Sequence, residues 1–251
     1  MEHKEYKLQK DRERFFWWDV GRRSILHDAL RRHTSSHALE ILDVGCGPGG
    51  NILFLKKFGK VTGLDTSKEA LSFASTQGFF NIVQGDGDKL PFGNESFDLV
   101  SALDVIEHME NDTEALREIF RVLKKDGIFL LTVPAYPWMW SEHDEAVHHK
   151  RRYRREELFG KINAVGFQIK TWSHFVIPSI PFRALKISTR KIKYALRLSY
   201  DKMLKTDVMI LPPFLNALLI GWLALERYCM RIVPLPFGSS ILVVAKKKNL
   251  D

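Results

Sequence analysis

Residues 40–51, Glu-Ile-Leu-Asp-Val-Gly-Cys-Gly-Pro-Gly-Gly-Asn, constrain the fold more than any other stretch of the chain. An apolar run, Ile41, Leu42 and Val44, leads into four closely spaced glycines, Gly45, Gly47, Gly49 and Gly50. Glycine has no Cβ, so the backbone can turn tightly and a ligand can lie against it. A helical pattern follows through Ile52, Leu53, Leu55 and Lys56 with Phe58. Strand, glycine turn and helix form a nucleotide-type corner at the carboxyl end of a strand, the mark of a doubly wound α/β fold.

Two ligands suit such a corner. Gly45, Gly47 and Gly50 satisfy G-x-G-x-x-G, and Asp65 follows at the spacing of a ribose-binding acid, so an NAD-linked oxidoreductase is one reading. Asp43 opposes it, because a carboxylate two residues before the first glycine sits badly beside a pyrophosphate. The same carboxylate suits a ligand with an ammonium group and no phosphate, such as S-adenosyl-L-methionine. A non-catalytic protein that binds this ligand is a further alternative.

The stretch Asp43-Val-Gly-Cys-Gly-Pro-Gly-Gly50 resembles motif I of the class I S-adenosylmethionine-dependent methyltransferases. Later stretches fit the same family, so the resemblance covers residues 15–172 and a closing strand near 240. It implies a mostly parallel, Rossmann-like sheet of seven strands, whose antiparallel last strand is inserted beside the fifth. It also implies S-adenosyl-L-methionine as methyl donor. By that resemblance Asp43, Gly45, Gly47 and Gly49 form the donor corner. Asp65 takes the ribose hydroxyls with Thr66 beside it, although Thr66 and Ser67 could equally cap the next helix. Asp86 takes the adenine amino group and Gly87 offers backbone to the ring, with Asp88 as a competing acid. Leu103 closes the fourth strand next to the methyl group.

Leu103-Asp-Val-Ile-Glu-His-Met109 leaves that strand at the carboxyl edge, which makes Asp104, Glu107 and His108 active-site candidates. An imidazole serves as a general base near neutral pH. A similar acid-x-x-Glu-His segment occurs in quinone-type O-methyltransferases, where it is linked to a divalent metal. The long aromatic and polar segment 135–153 is the candidate acceptor loop. Tyr136, Trp138 and Trp140 would form an apolar wall, His143 a second candidate base, and Arg151 and Arg152 a grip on an acidic group. His143, His148 and His149 lack a zinc spacing and are joined by no cysteine, so no metal is assigned. A basic loop docked on the first helix is the competing reading of this segment.

The 251 residues, 45% hydrophobic, suffice for one α/β domain with an appendage. Two cysteines suggest no disulfide framework, and the polar start no secretory leader; a cytoplasmic protein is expected, possibly peripheral at a membrane. The organisation reads as a helical lid at 1–36, a donor-binding core at 37–172, a helical insertion at 173–236 and a closing strand with a basic tail at 237–251. Strands are expected at Lys60–Asp65, Asn81–Asp86, Phe97–Ala102, Ile128–Val133 and Gly166–Trp172, with helices over 11–33 and 214–232. Gly127 is expected to cap the helix that ends near Val122.

The net charge of +8 is uneven: residues 173–251 hold 13 Lys and Arg against 4 Asp and Glu. Arg183, Lys186, Arg190, Lys193 and Arg197 fall on one helical face, with Leu185, Ile192, Leu196 and Met203 on another. The apolar run Phe214–Leu225 is too short to span a bilayer. A basic helix beside an apolar one suggests an anionic membrane surface and a small-molecule or lipid-like acceptor. Nucleic acid is not expected, and the oligomeric state is left open. The competing reading of the insertion is a subdomain packed on the core or on a second copy.

Overall fold

The structure is a computed structural model that describes residues 14–34, 38–195 and 211–248, with side chains undescribed at 186 and 190–195. In chain order the elements are α1 (Trp17–Arg31), β1 (Leu39–Val44), α2 (Ile52–Leu55), β2 (Gly59–Asp65), α3 (Lys68–Thr76), β3 (Ile82–Gln84) and β4 (Phe97–Leu103). They continue as α4 (Asp112–Val122), β5 (Leu123–Pro134), α5 (Glu142–Ala146), α6 (Arg155–Val165), β6 (Phe167–Phe175), α7 (Ser179–Ala195), α8 (Pro213–Cys229) and β7 (Ser240–Lys247). The seven strands form one sheet in the order β3-β2-β1-β4-β5-β7-β6. β7 runs antiparallel to both neighbours and the others pair in parallel, as the family resemblance implies.

Strand alternation sends successive side chains to opposite faces. Ile41, Leu99, Leu130, Leu242 and Val244 enter one core layer with Ile25, Leu26 and Leu30 of α1 and Leu219 and Leu223 of α8. Their neighbours Leu42, Val100, Phe129, Ile241 and Val243 enter the other layer with Leu116 and Ile119 of α4 and Leu158 and Ile162 of α6. β7 is buried on both faces from Ser240 to Ala245, which places the last strand inside the sheet rather than at its edge.

Register positions the site. Val44 pairs with Leu64 of β2 and with Ala102 of β4, so β1, β2 and β4 end level at one edge. The glycine turn, Asp65 and Leu103 all leave from that edge.

Several element boundaries differ from the sequence reading. β5 starts at Leu123, paired with Phe97, and the Lys124–Gly127 stretch forms a bulge rather than a turn. Gly127 therefore does not cap α4; a Cβ there would stand 2.8 Å from the Lys124 carbonyl oxygen, a close approach only glycine allows. β3 stops at Gln84, and Asp86 makes an isolated bridge with Lys89 instead. β6 runs on to Phe175, while α2 is a single turn. α8 begins at Pro213, whose missing N–H costs nothing in a first helical turn. Of the expected cationic face only the Arg183 side chain is described; Lys186, Arg190, Lys193 and Arg197, with Ile192, Leu196 and Met203, fall outside the described side chains.

The insertion is tied to the core at two places. α8 packs along α1, where Leu223 occupies the space a Cβ on Gly21 would need. Asn216 accepts from the Trp17 backbone N–H at 2.9 Å and donates to the Phe15 carbonyl at 2.8 Å. Glu226, 3% exposed, accepts from the backbone N–H groups of Val176 and Ile177 at 2.7 and 2.9 Å and from the Trp222 indole at 2.9 Å. Val176 has φ 63°, a costly conformation for a β-branched residue. The carboxylate holds that turn where β6 hands over to α7. Glu226→Ala removes the acceptor of three donors, of which the Val176 N–H is buried, and is expected to cost about 2 kcal/mol, read as a lower denaturant midpoint, with Glu226→Gln losing less; an unchanged midpoint would refute this tie.

Candidate active site

The glycine turn is built by backbone. The Cys46 N–H donates to the Leu64 carbonyl at 2.9 Å, and the Gly49 N–H to the Cys46 carbonyl at 3.0 Å. Gly45, Gly47 and Gly49 have φ of 68°, 52° and 93°. Val105 crowds the Cβ position of Gly45, and Phe79 that of Gly49. Gly47 differs: nothing lies within 4 Å of the place its Cβ would occupy. Asp65 is bound to this turn: its Oδ2 accepts from the Gly47 N–H at 2.8 Å and its Oδ1 accepts from the Ser67 N–H at 2.9 Å. The carboxylate is thus oriented at the turn before any ligand arrives.

Asp43 lies beneath the turn, wholly buried. Its Oδ1 accepts from the Ser101 hydroxyl at 2.7 Å, while Oδ2 has no partner among the described residues. Burial raises its pKa to about 7, against the pull of the Ser101 hydroxyl and the Arg22 charge. An orphaned buried carboxylate oxygen is complementary to a ligand cation. The open cradle at Gly47, the fixed Asp65 and the unpaired Asp43 oxygen fit S-adenosylmethionine: sugar at Asp65, ammonium at Asp43.

The adenine end is looser. Asp86 is exposed and accepts from the Asp88 N–H at 3.1 Å. Asp88 has a buried Oδ1 without a partner, and burial followed by the Asp86 charge raises its pKa. Gly87 is buried against Met109. Thr66 is exposed; it is Ser67 that caps α3, accepting from the Ala70 N–H at 3.1 Å. Leu103 is buried at the end of β4. A cavity of about 260 Å³ opens beside Pro48, Gly49, Gly50 and Phe79, bordered by Arg14 and Arg23; it borders the glycine turn, but none of Asp43, Asp65 and Asp86 lines it.

Beyond β4 the chain carries Asp104, at φ 59°, into a short 3-10 turn, Ile106–His108. Asp104 pairs with Arg22 of α1 at 2.5 Å. Glu107 is fully buried with neither carboxylate oxygen bonded to a described residue; burial, then the Asp104 charge, pushes its pKa well above the usual range. His108 stands edge-on to His149, ring centroids 4.7 Å apart. His143 is edge-on to His149 at 6.2 Å. Burial, then the His149 charge, lowers the His108 pKa, which keeps its imidazole neutral.

His149 emerges as a site residue through Asp144, whose Oδ1 lies 2.8 Å from Nδ1. Burial opposes ionisation of Asp144, yet the His149 hydrogen bond and Arg152 hold it well below the usual carboxylate range. The ionised carboxylate accepts from Nδ1 and orients the ring, which sets Nε2 3.8 Å from Glu107 Oε1. Glu107, His108 and His149 each bring one donor atom within 4.8 Å of the others, a set that can share a proton or hold a cation. Asp144 and His149 stand five positions apart, and no local spacing rule marks that pair in the sequence.

Both arginines expected to grip substrate are engaged within the protein. Arg152, 4% exposed, donates to Asp144 Oδ1 at 2.8 Å and to the Ala135 carbonyl at 3.0 Å. Arg151 donates to the Met109 and Glu110 carbonyls and pairs with Asp112 at 3.1 Å. They brace the 135–153 loop against the 3-10 turn and α4. Tyr136 stacks on His174 of β6 at 5.2 Å, and Trp138 stands 57% exposed beside it.

A ligand ammonium beside Asp43 favours its ionised form. Because its folded pKa lies above the ordinary 3.8, this carboxyl favours the folded state most at low pH, and that contribution fades as pH rises through about 7. Donor binding runs the other way. S-adenosylhomocysteine affinity is expected to rise with pH through about 7 and then level off, and Asp43→Asn to flatten the profile. Calorimetry from pH 6 to 8 checks this; a flat wild-type profile would contradict it.

Comparison with known proteins agrees with this geometry. Residues 42–131 match the family described as a methyltransferase domain. The uncharacterized methyltransferase YcgJ of Bacillus subtilis is 36% identical over 124 residues, 45% of this chain and 47% of that one. Cycloartenol-C-24-methyltransferase 1 of Oryza sativa is 32% identical over 150 residues, 53% of this chain and 42% of that one. The chloroplastic 2-methyl-6-phytyl-1,4-hydroquinone methyltransferase 1 of Oryza sativa is 30% identical over 158 residues, 61% of this chain and 47% of that one. The chain therefore spans about half the length of these relatives. The crystal structure of YcgJ superposes with a TM-score of 0.57 at 21% identity, over 90% of this chain and 99% of that one, a likeness of fold. The glycine corner, the order of the sheet and the sequence match together identify residues 42–131 as a methyltransferase domain of the class I, S-adenosylmethionine-dependent type.

Proposed function

We propose that the chain transfers a methyl group to a small, apolar or lipid-like acceptor at the surface of an anionic membrane. The observation that carries this reading is that one sheet edge holds both the donor corner and, beside it, a half-buried imidazole cluster next to an aromatic loop. The donor supplies an electrophilic methyl on a sulfonium. The chain's own residues hold that donor and align an acceptor with it. Asp65 and the Gly47 backbone orient the sugar; Asp43 takes the ammonium. Tyr136 and Trp138 furnish the apolar wall, and Arg151 and Arg152 hold the loop in place. His108, neutral through burial, accepts the proton of a hydroxyl acceptor, with His143 and His149 completing the cluster.

The acceptor class draws support from relatives whose names specify cycloartenol and a phytyl hydroquinone. The surface supports it too. Among the described residues, ten of fourteen exposed large hydrophobics lie between Phe182 and Phe237, including Phe214, Leu218, Trp222 and Leu225 along α8. No described helix is long and apolar enough to cross a membrane. An exposed apolar helix face in a segment rich in Lys and Arg suits the interface of an anionic bilayer.

Incubation with a labelled methyl donor and a panel of sterols and hydroquinones in mixed micelles tests the reaction: label in the extracted lipid supports it, and donor binding without transfer to any acceptor argues against it. His108→Ala is expected to lower kcat about 100-fold with little change in donor KM. The wild-type rate should fall only at acid pH, below the ordinary imidazole value, as His108 takes up a proton and ceases to be a base; a rate independent of His108 would remove it from the mechanism. Flotation with anionic liposomes should carry the protein upward, and Trp222→Glu together with Leu218→Glu should abolish it. Dimerisation without flotation would assign the α8 face to a second copy instead.

A further inference from the structure

The donor reading leaves the cavity beside the glycine turn unused. Its wall is apolar, made by Pro48, Leu53 of α2 and Phe79. Phe79 is fixed there, because its ring fills the space that a Cβ on Gly49 would need. The border is cationic. Arg14 and Arg23 line it, no described acidic side chain does, and the Lys56 ammonium stands 4.7 Å from the centre of the Phe79 ring. Exposed apolar side chains adjoin the lining: Leu53 itself is 60% exposed, and Phe80, next in the chain to Phe79, 82%. Phe15, next to Arg14, is exposed as well. Its carbonyl accepts from Asn216 of α8, two positions after the exposed Phe214.

This arrangement says what the cavity takes. Guanidinium groups match phosphate oxygens in shape and charge, and they set the sign of the ligand. The aliphatic and aromatic wall takes hydrocarbon. Together they select an anion that carries an apolar chain. The volume of about 260 Å³ falls below the roughly 300 Å³ at which pockets begin to enclose a whole drug-sized ligand. A segment of one acyl chain fits, with the phosphate at the arginine border and the rest of the lipid outside. A bilayer supplies that remainder with a place to stay. The apolar face of α8 joins the core at the same end of α1, through the Asn216 bonds to Phe15 and Trp17.

We propose that this cavity is a site for an anionic lipid, its phosphate held by Arg14 and Arg23 and the start of one acyl chain laid against Leu53 and Phe79. This deepens the membrane-surface reading above, and the test separates the two. Calorimetry on the full chain compares three probes: dihexanoyl phosphatidate, sn-glycerol 3-phosphate and dihexanoyl glycerol. Phosphatidate should bind at a single site, at least about 10-fold more tightly than either of the others. Arg14→Gln together with Arg23→Gln should weaken it about 30-fold. Leu53→Asp should weaken it too, yet leave glycerol 3-phosphate within about 2-fold. Glycerol 3-phosphate binding as tightly as phosphatidate would overturn the proposal, as would an affinity that the arginine changes do not move. Saturating S-adenosylhomocysteine should leave phosphatidate bound; displacement would assign the cavity to the donor and overturn the lipid site. Should Arg23→Gln fail to fold by circular dichroism, Arg14→Gln at its exposed position decides alone, with a loss of about 10-fold. Flotation with anionic liposomes without phosphatidate binding would overturn the site and leave the membrane reading standing. Phosphatidate binding without flotation would support the site and remove the membrane reading.

Discussion

The parallel register of β1 with β2 and β4 is the constraint on which the site depends. Three strands that end level bring the glycine turn, Asp65 and the Asp104–His108 segment to one edge, although up to 63 residues separate them in the chain. Backbone hydrogen bonds enforce that register, and distinct hydrophobic layers on the two faces make a slip expensive, since a shift by one residue would send every side chain of a strand to the opposite layer. A further link, from the Gly47 N–H to Asp65, then joins the turn on β1 to the end of β2.

Around this edge the chain buries more charge than a simple core would carry. Asp43, Glu107, Asp144, Arg22 and Arg152 are all nearly inaccessible. Asp144 and Arg152 satisfy each other and hold His149, so their burial yields a rigid loop. Asp43 and Glu107 are different, for each keeps oxygens that the described protein does not bond. Polar burial without partners is uncommon in folded proteins and collects where chemistry or ligands complete it. The division is spatial: satisfied charges brace the loop, and unsatisfied ones face the donor corner and the imidazole cluster.

α1 links this edge to the insertion. One side of the helix gives Ile25, Leu26 and Leu30 to the core, and Arg22 reaches the site. Leu223, Asn216, Arg227 and Arg231 of the insertion hold it from outside. Whatever α8 rests on therefore bears, through one helix, on a guanidinium at the active edge. Glu226 anchors the other end of that assembly to the turn after β6.

Much of the fold was legible because its cues are local. Glycines with positive φ announce the turn at 45–50, and apolar runs bounded by turns announce β1, β4, β5 and β7. The antiparallel place of β7 came from family likeness, not from periodicity. The bulge before Ile128 was missed because a Lys-Lys-Asp-Gly stretch reads equally as a helix end. Arg22, Arg152 and Asp144 illustrate the other limit. In sequence, Arg22 is indistinguishable from Arg23 beside it, and Arg152 looked free to bind substrate. The chain alone determined the donor corner, since backbone conformation there depends on neighbouring residue types. Tertiary structure decided which charges are spent inside the protein and which remain for a ligand, because ion pairing depends on distances that strand register and helix packing set between residues far apart in the chain.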